Sequence, residues 1–215
     1  MQRSRFALLS LASLMLLVAG CAEPTRSRNT ADPAVPAIAL AQQVCSNCHG
    51  MTGISVSPNF PQLAGQTPDY LLSQLQAFKS HGRQDPAGFE YMWGLSRHLT
   101  DAQMQALASY YAAQAPAAGR PAGVGDAHKG ESIFTSGIPD RGVPACASCH
   151  GDKAQGHEAF PRLAGQHADY VVKQLMVFQR TDERPAGAAM KVVAHELHDA
   201  DLRDVAAYVQ ALDTR

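Results

Sequence analysis

The sequence predicts an all-α protein built as two tandem copies of one helical unit. The first observation is a repeat. Phe60-Pro61-Gln62-Leu63-Ala64-Gly65-Gln66 returns as Phe160-Pro161-Arg162-Leu163-Ala164-Gly165-Gln166. The match continues through Asp69-Tyr70 with Asp169-Tyr170, Gln74-Leu75 with Gln174-Leu175, and Phe78 with Phe178, at a constant offset of one hundred residues. A repeat held in register over this span makes each copy a structural unit. The second observation is periodicity: apolar residues recur at helical spacing, and neither half shows the alternation of a strand.

Each element follows from local signals. Ile38 to Val44 reads as a short helix ahead of the first cysteine pair. Thr67-Pro68-Asp69 supplies a cap, a proline at the first helical position and an acid. The helix that follows, Tyr70 to Phe78, places Leu71, Leu75 and Phe78 on one face. A last helix opens at Thr100-Asp101 and runs through Met104, Leu107, Ala108 and Tyr111, matched by Leu202, Val205, Ala206 and Val209. The proline- and glycine-rich stretch around Pro116 to Gly125 is the linker, giving units at 37–115 and 126–215 with residues 116–125 between them. The first unit lacks an opening like Gly125-Asp126-Ala127-His128-Lys129-Gly130-Glu131 of the second, so its first helix is expected to differ.

The N-terminus reads as an export signal. Arg3 and Arg5 precede an apolar run from Phe6 to Val18, thirteen residues long. That is short for a membrane span and right for a signal-peptide core, here residues 1–20. Val18-Ala19-Gly20-Cys21 resembles a bacterial lipobox, in which the cysteine is acylated and becomes the mature N-terminus. Residues 21–36 then form a flexible tether. These readings put the mature protein in the periplasm, lipid-anchored through Cys21.

Five cysteines occur, and all but Cys21 fall in two devices of identical spacing: Cys45-Ser46-Asn47-Cys48-His49 and Cys146-Ala147-Ser148-Cys149-His150. CxxCH is the spacing for covalent c-type haem, with thioethers from the cysteines and the histidine on the iron. A zinc site would want a fourth ligand or an open catalytic position, and no second CxxC or HxxxH lies at a familiar distance. A thiol–disulfide pair would need a strand–helix context that neither motif has. The sequence therefore calls for two haem c groups. At roughly seventy to ninety residues, each unit has a marginal core that a bonded apolar cofactor would complete.

The sixth iron ligand decides the chemistry. Met92-Trp93-Gly94-Leu95-Ser96-Arg97-His98-Leu99 aligns with Met190-Lys191-Val192-Val193-Ala194-His195-Glu196-Leu197, and of seven methionines only Met92 and Met190 match across the repeat. His98, His195 and His198 have no repeated partner, and neither do His81, His128, His157 and His167. Trp93 opposite Lys191 predicts two unequal haem surroundings and two potentials.

The formal net charge of -1 gives no footprint for nucleic acid. Three Lys/Arg and four Asp/Glu lie between 41 and 118, against ten and thirteen between 123 and 215. The difference reads as drift between solvated surfaces; the sharper alternative is a less polar docking face on the first unit, with the second steering more.

Together CSNCHG, CASCHG, NFPQLAGQ, FPRLAGQHADYVVKQL and the methionine-to-leucine spacing before DAQMQALASYY and DADLRDVAAYV resemble the dihaem cytochrome c4 family. The resemblance covers nearly everything after the tether. It implies two class I cytochrome c-like domains related by a pseudo-twofold, each around one covalent haem. It implies thioethers at Cys45, Cys48, Cys146 and Cys149, axial pairs His49–Met92 and His150–Met190, and Pro61 and Pro161 carbonyls accepting from the histidines' other nitrogens. It also implies electron transfer in the periplasm between redox proteins, from a quinol-side donor complex toward a terminal oxidase; the cytochrome subunit of a periplasmic dehydrogenase is an alternative that shares the same sequence logic. A dihaem peroxidase or thiosulfate-oxidising enzyme would need an open iron or a cysteine ligand, and no cysteine is left to serve.

Overall fold

The computed structural model describes residues 24–213, and its elements follow from how each helix starts and stops. In the first unit α1 (Ala37–Leu40) runs through a π-helical stretch (Ala41–Cys45) into α2 (Ser46–His49). Then come α3 (Pro68–Lys79), a second π-helical stretch (Gly88–Met92) leading into α4 (Trp93–Ser96), and α5 (Asp101–Ala112). The second unit has α6 (Ala127–Ser136), α7 (Ala147–His150), α8 (Ala168–Arg180), α9 (Ala188–Ala194) and α10 (Asp199–Ala211). Among the described residues the only β pairing is two isolated bridges, Ile138 with Val143 and His157 with Phe160. No helix there is long and apolar enough to cross a membrane.

Caps set these boundaries. The Thr100 hydroxyl accepts from the Gln103 N–H at 3.1 Å while Gln103 Oε1 accepts from the Thr100 N–H at 2.9 Å, a reciprocal box that starts α5. Asp126 Oδ1 accepts from the His128 and Lys129 N–H groups to start α6. Thr67 departs from expectation. It holds the position before α3, but its hydroxyl donates to the Glu158 carbonyl in the other unit at 2.6 Å and caps nothing.

Two cores form, one per unit. Leu40, Leu71, Leu99, Met104, Leu107 and Tyr111 fill the first, and Phe134, Leu175, Phe178, Leu202, Val205 and Val209 the second. Each such side chain stabilises the fold by about 1.5–3 kcal/mol on leaving water. In the second unit α6 crosses α10 closely, because Gly130 has no side chain: a Cβ there would lie 2.0 Å from the Asp204 carbonyl oxygen.

The first unit opens differently, as its sequence suggested. α6 stops before Gly137 and a loop leads to the second cysteine pair, whereas α1 continues into the first pair without a break. The end of the stretch assigned to the tether belongs to the fold. Val35 is buried, and Gln103 Nε2 donates to the carbonyls of Asp32 and Val35 at 3.0 Å each. The linker is also fastened: Gln210 Nε2 donates to the Arg120 and Pro121 carbonyls, and the Arg120 N–H to the Gln210 carbonyl.

The units meet through bonds that come in exchanged pairs. The Gln62 N–H donates to Gln166 Oε1 and Gln166 Nε2 donates to the Gln62 carbonyl. In the same way the Arg162 N–H donates to Gln66 Oε1 and Gln66 Nε2 to the Arg162 carbonyl. A second layer carries Arg83 over Phe78 and Arg184 over Phe178, with ring-centroid distances of 4.6 and 4.5 Å. Arg83 reaches Gln74 and Gln174, and so does Arg184. Exchange of equivalent partners at both layers is the signature of a pseudo-twofold axis.

Candidate haem sites

Each CxxCH lies on about one helical turn, so cysteines three apart share a face and the histidine follows at its end. Gly50 and Gly151 then turn the chain at φ of 77° and 82°. At Gly50 a Cβ would stand 2.2 Å from the Ile54 carbonyl oxygen, so the turn demands glycine. Cys45, Cys48, Cys146 and Cys149 are all unpaired. Burial pushes the Cys45 and Cys146 thiols up to about 11, which makes them poor free nucleophiles and weakens the thiol-exchange reading.

His49 and His150 are buried, with Nδ1 lying 3.0 Å from the Pro61 carbonyl oxygen and 2.9 Å from that of Pro161. A carbonyl can only accept, so the proton sits on Nδ1 and Nε2 keeps its lone pair. Burial holds both imidazoles below the ordinary histidine range, against the opposing pull of those carbonyls. Nε2 of neither ring has a hydrogen-bond partner among the described residues. A neutral imidazole oriented from behind, beside two unpaired thiols on one helical turn, fits a covalently attached iron porphyrin.

Met92 ends the second π-helical stretch and Met190 lies within α9, both half-buried, on segments packed against α3 and α8. Met190 touches the core of its unit. Large apolar side chains are left exposed close in sequence to the expected ligands: Ile54, Tyr91 and Leu95 in one unit, Phe160 and Val192 in the other. A flat apolar group would cover such surface. Trp93 contacts His81, 4.5 Å between ring centroids, and the Arg97 guanidinium, 4.8 Å from its ring centroid, while Lys191 pairs with Asp182. His98, His128, His157, His195 and His198 are exposed. Cys21 and the stretch expected to be a signal peptide, residues 1–20, fall outside the described residues.

A cytochrome c family model matches residues 35–113 and 127–213. The chain belongs to the cytochrome c family. Its relatives narrow this to the dihaem cytochrome c4 group. Cytochrome c-552 of Acidithiobacillus ferridurans is 39% identical across 94% of this chain and 86% of its own. Cytochrome c4 of Stutzerimonas stutzeri is 38% identical, covering 79% and 84%. The solved cytochrome c4 of Acidithiobacillus ferrooxidans superposes with a TM-score of 0.72 at 40% identity, over 78% of this chain and 98% of that one. A further relative, the thiosulfate dehydrogenase electron acceptor of Thiomonas intermedia, is 35% identical across 78% and 77%. This dihaem cytochrome therefore carries two covalent haem c groups, one per unit, and works as an electron-transfer protein.

The residues that join the units were not singled out from sequence. Gln66, Gln74, Gln166 and Gln174 are buried or half-buried polar groups spent on the interface. Their signal was present: a glutamine repeated at matched positions outside the expected iron ligands asks for a polar partner. His167, with no histidine at the matching position, is buried with Nε2 3.0 Å from Gln62 Nε2 and 3.1 Å from the Ser55 carbonyl oxygen. No repeat signal pointed to it.

Proposed function

We propose that this dihaem cytochrome is a lipid-anchored periplasmic electron carrier, not an enzyme, passing electrons from a quinol-side donor complex toward a terminal oxidase. Cys45, Cys48, Cys146 and Cys149 hold the porphyrins, and His49 with Met92 and His150 with Met190 ligate the irons. The observation that carries this reading is that each unit supplies its own complete set: an oriented neutral histidine and a methionine on a matched segment. Two methionine-ligated irons leave no coordination position for a substrate and favour a comparatively high potential. The haem supplies the electron's resting place. The protein orients the histidines through Pro61 and Pro161 and excludes water with its two cores.

The test compares wild type with Met92→Ala and Met190→Ala by the far-red charge-transfer band of methionine-ligated ferric haem. Each variant should lose about half the band and admit carbon monoxide at one iron, since one position opens. Carbon monoxide binding by wild type, or rapid peroxide turnover, would replace the carrier with an enzyme. Cys21→Ser should release the protein from membranes with its haem spectrum unaltered. Continued membrane association would remove the lipid anchor from the account.

A second reading has its own support. The Thiomonas intermedia relative is named as an electron acceptor of thiosulfate dehydrogenase. On that reading this protein serves as the acceptor of a periplasmic dehydrogenase, and reduction by such an enzyme at a physiological rate would favour it over the quinol-side donor.

A further inference from the structure

The Pro61 carbonyl and the Gln62 N–H are two ends of one peptide group. Its oxygen accepts from His49 Nδ1 at 3.0 Å, and its N–H donates to Gln166 Oε1, from the other unit, at 2.8 Å. The Pro161 carbonyl and Arg162 N–H repeat the arrangement, accepting from His150 Nδ1 at 2.9 Å and donating to Gln66 Oε1 at 2.6 Å. Each glutamine returns a second bond, from Nε2 to the carbonyl of the residue it grips, at 3.0 Å in both places. Each is also pinned at a helix start, Gln66 Oε1 accepting from the Thr67 N–H and Gln166 Oε1 from the His167 N–H. All four gripping and gripped residues are buried.

We propose that Gln166 and Gln66 are positioning residues that set the haem potential of the opposite unit, each acting through the peptide group behind that unit's haem histidine. This rests on His49 and His150 being the iron ligands. Donation from a peptide N–H polarises the group and makes its carbonyl a stronger acceptor, more so at low local dielectric. A stronger acceptor at Nδ1 makes the imidazole more basic and electron-rich. That favours ferric over ferrous iron and lowers the potential. The dependence is crossed. Gln166 follows Pro161 within the second unit yet acts on the haem of the first, and Gln66 follows Pro61 within the first unit yet acts on that of the second. Opening the interface would release both grips and raise both potentials together.

The test is a redox titration of the holoprotein followed haem by haem through the shifted haem-methyl resonances in proton NMR. Gln166→Met keeps the bulk and removes the acceptor. It should raise the potential of the first unit's haem and leave the second unchanged, altering the equilibrium partition of one electron between them by about two- to tenfold. For a one-electron couple a tenfold change is about 59 mV. Gln66→Met should do the converse. A shift at the haem of the substituted unit, equal shifts at both, or no shift overturns the proposal. Gln166→Glu keeps an acceptor oxygen and adds charge, so it should lower the first haem's potential, and it carries the test if the methionine variant does not fold. Failure of the ligand reading would appear separately, as a missing far-red methionine band in wild type before any glutamine is changed.

Discussion

Asp85 has no exposed surface and sits where the two units meet, so its charge can be removed without touching either cysteine motif. Its Oδ1 lies 2.6 Å from Arg83 Nε and its Oδ2 3.2 Å from Arg83 Nη2, and Arg83 is itself 5% exposed. Burial pushes the Asp85 carboxyl up, but the Arg83 bond and charge, with Arg184 behind, outweigh it and hold the group below the ordinary carboxylate range. Asp85→Asn keeps the shape and removes the charge, leaving the Arg83 guanidinium buried without its counter-ion. Breaking a buried pair from one side costs about 3–5 kcal/mol. The lower figure applies, because Gln74 and Gln174 still accept from Arg83 at 2.8 and 3.1 Å. At roughly 2–4 °C per kcal/mol for a chain of this size, the melting temperature should fall by about 6–12 °C. Far-UV circular dichroism of the holoprotein at pH 7 reads this directly. The double variant Arg83→Met/Asp85→Leu should recover most of the loss, since apolar replacement of both partners is near neutral. The sign with pH follows from the depressed carboxyl. The pair's contribution is full above the unfolded value of about 3.9 and is lost as pH falls through the lower folded value. A fall below about 2 °C at pH 7, or a double variant as unstable as the single, would refute the argument.

Three further outcomes are expected. Gly130→Ala should force α6 off α10 and destabilise the second unit by about 1–3 kcal/mol, seen as a lower denaturant midpoint with both haems still attached. Burial holds His167 below the ordinary histidine range, against the Ser55 carbonyl's opposing pull, so only the unfolded chain takes up its proton in the window beneath about 6.5. Wild-type stability should therefore decline as pH falls from about 6.5 toward the folded value, and His167→Gln should flatten that decline in urea titrations at pH 7.5 and 5.5. Mass spectrometry of the denatured mature protein should show two haem increments, and Cys48→Ser with Cys45→Ser should remove one.

The two cysteine–histidine motifs were legible as helical turns because their geometry is local. Cysteines three apart on a helix share a face whatever the rest of the chain does, and the repeated glycine after each histidine serves a turn that needs positive φ. The repeat and the helical period likewise predicted two all-helical units: α5 and α10 bury the apolar positions that their spacing marked, and α3 buries Leu71 and Phe78 as its repeat α8 buries Val171 and Phe178. Thr67 shows where local reasoning stops. Its hydroxyl could accept from the first N–H groups of its own helix, and instead it turns away to donate to the Glu158 carbonyl of the other unit. Gln62 and Gln166 are 104 residues apart, and Arg83 and Gln174 are 91 apart. No periodicity records such pairings, because they depend on how two finished surfaces match in shape and hydrogen-bonding capacity. The sequence by itself determined the two haem-bearing units, through spacing along single helices. Only the tertiary structure decided how the units grip one another, because buried polar groups at an interface find their partners across space and not along the chain.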